Sequence, residues 1–134
     1  MDIRQNPIFY ICIKRGDEYT DVTGGWIGNA TKNTDNIYVH GITNGTTQAQ
    51  TNNNIDLTDY STLYVDVNVI SVLSSQYGFR IYGTNAIFYL PVVTVGRGVY
   101  SVDISSINTE CVIYMSAEWS PLCKASVYNV WLEK

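Results

Sequence analysis

Charge is scarce in this chain. Asp, Glu, Lys and Arg make up 15% of its 134 residues, where globular domains usually carry roughly a quarter. Eight cationic residues against twelve acidic ones leave a net charge of −4. No basic stripe is present to meet a phosphate backbone, so nucleic acid is not an expected partner. The polar surface must come largely from Asn, Thr, Ser and Tyr. Such a surface hydrogen-bonds without strong fields and suits neutral polar partners, sugars or other protein faces among them. Long apolar runs are also missing. IFYICI and AIFYLPVV are far too short to cross a bilayer, so membrane insertion is not expected. The opening MDIRQNP has no apolar signal-peptide core, which points to synthesis in the cytoplasm without a secretion signal or to a Met1 added for expression.

Signatures of catalysis and of transition metals are lacking too. The three cysteines, Cys12, Cys111 and Cys123, form no CxxC pair, which argues against zinc and thioredoxin-type chemistry. Cys12 and Cys111 lie in apolar, strand-like runs and read as buried reduced thiols. A Cys111–Cys123 bridge across a hairpin stays open. His40 is the single histidine. GxSxG, HExxH and P-loop patterns are all absent. A glycosidase needs two carboxylates facing each other across a cleft. Asp66 and Asp103 both point outward from strands, and nothing near them in sequence would raise one pKa, so they read as solvated surface groups. The chain is expected not to be an enzyme.

What is present is period two. In TLYVDVNVI (62–70), Leu63, Val65, Val67 and Val69 share one face and Tyr64, Asp66 and Asn68 the other. GVYSVDIS places Tyr100, Val102 and Ile104 inward, with Ser101 and Asp103 outward. ECVIYMSAEW groups Cys111, Ile113, Met115 and Ala117. SVYNVWLEK groups Tyr128, Val130 and Leu132 against Asn129, Trp131 and Glu133. Further strands are expected at 8–14, 36–41, 46–51, 78–83 and 86–90, with RGDE, NGTT, TNNN, YGTN and GRG as turns. IDLTDYS (55–61) reads as a connecting turn with room for one short helical turn. No amphipathic helix, repeat or linker interrupts the pattern. About nine short strands predict an all-β fold: one domain over 1–134, built as an antiparallel two-sheet β-sandwich.

The order of three segments, IDLTDYSTLYVDVNV, GVYSVDISSI and a closing ASVYNVWLEK, resembles the jelly-roll sandwiches of carbohydrate-binding modules and galactose-binding-like domains. RGDEYTDVTGGWIGN, TKNTDNIYV and TNNNIDLTDYSTLYVDV are also similar to β-sandwich modules in tail and adhesin proteins of phages and prophages of gut Firmicutes. The resemblance implies a jelly-roll-like fold and a non-catalytic role in binding a glycan on a host cell surface. It implies a virion or extracellular location. It also implies no obligatory cofactor. Such jelly rolls often carry a structural calcium, for which Asp17, Glu18 and Asp21 in GDEYTD are weak candidates and Glu133 a later one. Their spacing matches no calcium loop, and a solvated acidic turn is the preferred reading. The alternative function is a structural or oligomerising virion module without a ligand. Sparse surface charge leaves self-association weakly opposed, so a homo-oligomer is a candidate partner state.

Aromatics supply the candidate site. The chain has 11 Tyr and 3 Trp. Sugar C–H faces stack on rings, and sugar hydroxyls pair with amides, carboxylates and guanidinium groups. Outward aromatics and the polar groups that flank them are Tyr64, Asp66, Asn68, Arg80, Tyr82 and Trp131, with Trp119 as a platform beside a Pro turn. Tyr38 and His40 share a further outward face. The same rings also serve sheets by propensity and cross-strand pairing alone. In DVTGGWIGN, Gly24 and Gly25 are expected to supply positive φ in a tight loop, and Trp26 to plug the core rather than carry a ligand.

Overall fold

The computed structural model describes residues 11–15, 18–73 and 78–134, with side chains from residue 22 onward. In chain order the strands are β1 (Ile11–Arg15), β2 (Glu18–Asp21), β3 (Trp26–Gly28), β4 (Thr31–Lys32), β5 (Ile37–Ile42), β6 (Gly45–Thr46), β7 (Gln48–Thr51) and β8 (Ile55–Asp56). There follow β9 (Thr62–Ser71), β10 (Phe79–Gly83), β11 (Tyr89–Val92), β12 (Gly96–Asp103), β13 (Glu110–Cys111), β14 (Ile113–Ala117) and β15 (Lys124–Glu133). The described strands outnumber the nine expected because several are two-residue pieces, such as β4, β6, β8 and β13. No helix among the described residues is long and apolar enough to cross a membrane.

The fold is an all-β sandwich. One sheet runs β12-β9-β15-β1-β2, with β5 also on β15 and β4 and β6 on β5. The other runs β11-β10-β14-β7-β3, and β13 and β8 form a small separate ladder. Among the described pairs all are antiparallel except β1 with β15, which is parallel.

Alternation builds the core. Leu63, Val65, Val67 and Val69 of β9 are all buried, as are Ile37 and Val39 of β5. Against them pack Phe79 and Ile81 of β10, Ile113, Met115 and Ala117 of β14, and Ala49 of β7. Burying each large aliphatic side chain contributes about 1.5–3 kcal/mol. Tyr100 and Val102 are only half-buried, because β12 is an edge strand, whereas Ile104 just beyond it is fully buried. Trp26 is a core residue at 4% exposure, following Gly24 (φ 66°) and Gly25 (φ 93°). The glycine pair therefore turns the corner and the tryptophan plugs the interior.

Four local expectations need correction. Tyr128 does not point inward with Val130 and Leu132. The register against β9 shifts between Val127 and Asn129, so Tyr128 is the extra residue of a β-bulge. Its ring lies 4.0 Å below the Arg97 guanidinium. The bulge also divides β15's other edge, where 124–127 pair with β5 and 130–133 with β1. Second, 86–90 is not one strand. Thr84–Ala86 form a 3-10 turn in which Asn85 (φ 57°) and Ala86 (φ 55°) are left-handed, so extended backbone resumes only at Tyr89. Third, 46–51 splits into β6 and β7 around Thr47. Fourth, 55–61 contains β8 and a turn rather than a helical turn. Asp56 Oδ1 accepts the N–H of Thr58 at 3.0 Å, and Tyr60 N–H donates to Leu57 O at 3.1 Å.

The Asp56 arrangement recurs at Asp103, whose Oδ1 accepts the Ser105 N–H at 2.8 Å. In both, an exposed Asp holds the turn while the next residue, Leu57 or Ile104, is fully buried. The Asp-Leu-Thr and Asp-Ile-Ser motifs thus tie strand ends to the core.

Candidate functional site

The seven predicted residues do not form one site. Tyr64, Asp66 and Asn68 on β9 and Trp131 on β15 lie on the outer face of the first sheet. Arg80 and Tyr82 on β10 lie on the outer face of the second sheet, on the far side of the core. Trp119 follows the last residue of β14, Ala117, by two positions.

The first face is largely committed to structure. Trp131 is 6% exposed and is not a platform. Its ring stacks on Tyr64 with centroids 5.1 Å apart and planes 10° apart. Asp66 holds Arg97 through both carboxylate oxygens, each at 3.1 Å. That bond raises the Arg97 pKa further above its ordinary value. Asn129 faces outward beside Asp66 yet is buried, with Oδ1 accepting the Val130 N–H at 2.9 Å and Nδ2 left without a partner. Asp66 and Asp103 are no catalytic pair. Asp66 aligns with Val99, four residues along β12 from Asp103, and each carboxylate is already hydrogen-bonded.

The second face is different. Register places Tyr89, Tyr82, Tyr114, Gln50 and Ile27 side by side across five strands. A second row beside it holds Pro91, Arg80, Ser116 and Gln48. Tyr82 and Tyr114 stack at 5.3 Å and 10°, and Tyr89 tilts toward Tyr82 at 6.3 Å and 36°. Rings stacked in this way present their hydroxyl-bearing edges outward, and the open ring face lies at the end of the row, at the exposed Tyr89. From Tyr89 to Gln50 the row spans roughly 14 Å at about 4.8 Å per strand.

Arg80 lies beside the row. Its Nη2 donates to Ser116 Oγ at 3.2 Å and to Ala117 O at 2.9 Å, while its buried Nε has no partner. These bonds fix the guanidinium near the end of β14, where the chain leads on to Trp119. Trp119 is 64% exposed. Its loop is tightly held: Gly41 N–H donates to Cys123 O at 2.8 Å, and Ser120 N–H to Glu118 O at 2.7 Å. Sequence reasoning found Arg80, Tyr82 and Trp119 but missed Tyr89, Tyr114, Gln48 and Gln50. Tyr114 could have been found, since it alternates with Ile113 and Met115 in the same strand.

Other candidates fall away or lie elsewhere. Cys111 and Cys123 are both free and buried, so no bridge joins them. Burial raises both thiol pKa values, and Cys123 also donates from Sγ to Glu118 Oε2 at 3.1 Å. The expectation for Cys12 falls outside the described side chains. So does calcium at Asp17, Glu18 and Asp21: Asp17 is outside the described residues, and only the backbone of the other two is described, in β2. Among the described residues no cluster of three His, Cys, Asp or Glu could hold a metal. Tyr38 and His40 share an outward face, with rings stacked at 5.3 Å. A pocket of about 240 Å³ is lined by Val22, Asn54, Ile55, Asp56, Asp59 and Tyr60. It is smaller than the roughly 300–1,000 Å³ of ordinary small-molecule sites.

No protein-family model matches the chain, and no curated protein matches it in sequence. Among solved structures, a family 6 carbohydrate-binding module, studied by crystallography and calorimetry for its binding subsites, aligns with a TM-score of 0.48. The alignment has 16% identity over 81% of this chain and 82% of that one.

Proposed function

We propose that this chain is a non-catalytic module that binds a neutral glycan on the outer face of the second sheet. One observation carries the reading: the row Tyr89–Tyr82–Tyr114–Gln50, flanked by Arg80, Ser116 and Gln48. It offers phenol hydroxyls, amides and a guanidinium on a face with no strong charge. That set pairs with many sugar hydroxyls along an extended chain, and the exposed rings of Tyr89 and Trp119 offer stacking surfaces. Shallow contact buries little area, so affinity per site is expected between about 1 mM and tens of µM. Display in many copies would then raise avidity. The proposed setting is a phage or prophage tail or an adhesin, in a virion or outside the cell, with a host surface glycan as partner. The sequence resemblance supports that setting.

The test is a glycan array probed with the wild-type chain and with Tyr82→Ala, Arg80→Ala and Trp119→Ala. Loss of signal in folded second-sheet variants, with Tyr64→Ala retaining it, supports the reading. A clean array for the wild type overturns it. The second reading, a structural or oligomerising module, is favoured by β12, which among the described residues pairs only with β9.

A further inference from the structure

Arg80 stands on the outer face of the second sheet without a counter-charge. Neither row of that face holds an Asp or a Glu. Glu118, one residue past Ala117, accepts instead from the buried Cys123 thiol at 3.1 Å. Among the described residues the guanidinium bonds only to neutral oxygens, both through Nη2: Ser116 Oγ at 3.2 Å and Ala117 O at 2.9 Å. Those two acceptors take both Nη2 protons. Nε is buried and has no partner. Nη1 is therefore the one guanidinium nitrogen neither bonded nor buried. This decides what Arg80 can hold. A carboxylate is gripped best by two parallel N–H groups, Nε with one Nη or the two Nη together. Every such fork here includes Nη2, which is spent, or Nε, which is buried. What remains is a single-point donor suited to one neutral acceptor atom.

We propose, resting on the glycan reading above, that this site selects N-acetylated sugars and that Arg80 reads the acetamido carbonyl. The sugar chain lies along the Tyr89–Tyr82–Tyr114–Gln50 row and turns its acetamido arm into the neighbouring row. A carbonyl oxygen only accepts, which matches a group that only donates. The acetamido N–H needs an acceptor, and the same row supplies one. Gln48 stands one strand beyond Ser116, about 4.8 Å away. Its Nε2 is directed to Gln50 Oε1 at 3.5 Å, and its own Oε1 has no bond among the described residues. Arg80 and Gln48 thus flank Ser116 in register, a donor on one side and an acceptor on the other for the two ends of one amide. Ser116 is fully buried, with its Oγ committed to Arg80. A lone sugar hydroxyl is too short to supply both contacts. The acetamido methyl seeks apolar surface, which the exposed Trp119 offers past the end of β14.

Matched oligosaccharides test this: pairs built on glucose, galactose and mannose, alike in linkage and differing only in acetamido or hydroxyl at C2, with the corresponding uronates as a third arm. The wild-type chain should bind the N-acetylated member of its best pair at least about tenfold more tightly than the hydroxyl member, and the uronate no more tightly than the hydroxyl member. Calorimetry on that pair then gives the same ratio for the variants. Arg80→Ala should bring the ratio below about twofold. Gln48→Ala should lower it as well, and it carries the test if Arg80→Ala does not fold. Equal or weaker binding of the N-acetylated member by the wild type overturns the inference and leaves glycan binding standing. So does a uronate that outranks it, or a ratio that survives substitution at Arg80 or Gln48 in a folded variant. Binding to no member of any pair overturns both this inference and the glycan reading.

Discussion

Replacing Trp131 by Ala should damage the fold and leave glycan recognition in the surviving folded fraction unchanged. The ring is 6% exposed and stacks on Tyr64 at 5.1 Å. Truncating a buried Trp to Ala costs about 3–5 kcal/mol, from lost transfer energy and the cavity left behind. Up to about 1.5 kcal/mol of that is the stacked pair itself. Set against a total stability of about 5–15 kcal/mol, the loss is large. Urea unfolding at 25 °C reads it directly. With m near 2 kcal/mol/M, a 4 kcal/mol loss moves the midpoint down by about 2 M. A double-mutant cycle with Tyr64→Ala should return a coupling of about 0.5–1.5 kcal/mol. Trp119→Ala is the control: at 64% exposure it should change stability by no more than about 0.5 kcal/mol. A Trp131→Ala midpoint within about 0.3 M of wild type would refute the burial argument and return that ring to the list of contact residues.

Gly41→Ala should destabilise by about 1–3 kcal/mol or more, read as a lower Tm, because the added methyl would overlap the backbone carbonyls of Glu118 and Ser120, which cannot yield as a side-chain tip would. It should also weaken any glycan contact made through Trp119. Hydrogen bonds from Thr58 and Ser105, hydroxyl first and then N–H, hold the Asp56 and Asp103 carboxyls below their ordinary 3.8. Their contribution to stability is complete above that value and is lost as pH falls through the lower folded values, so Asp56→Asn/Asp103→Asn should flatten the stability profile below about pH 4. Cys111 and Cys123, buried with raised pKa values, should react with Ellman's reagent only on unfolding, and their Ala variants should lose stability and keep binding.

The architecture was legible because period two is a direct consequence of pleating. Every residue of the Leu63–Val69 set is buried as alternation requires. Tyr128 escaped because a bulge inserts one residue, and nothing in SVYNVWLEK marks where. The strand expected at 86–90 failed because Asn85 and Ala86 adopt left-handed backbone that apolar composition does not reveal. For the site, outward direction was readable and exposure was not. Trp131 and Tyr82 both point away from the core, yet Trp131 lies buried between β9 and β1 while Tyr82 stands in an accessible row. Which strands are neighbours decides which rings share a face. Alternation within one strand carries no trace of the β11-β10-β14-β7 order.

The most direct test of the glycan-binding account is a ¹H–¹⁵N NMR titration of the chain with the oligosaccharide that scores highest on the array. The account predicts shifts confined to β10, β11, β14, β7 and the Trp119 indole, with the backbone of β9 and β15 unmoved. Shifts centred on Tyr64 and Trp131, or none at saturating sugar, would contradict it.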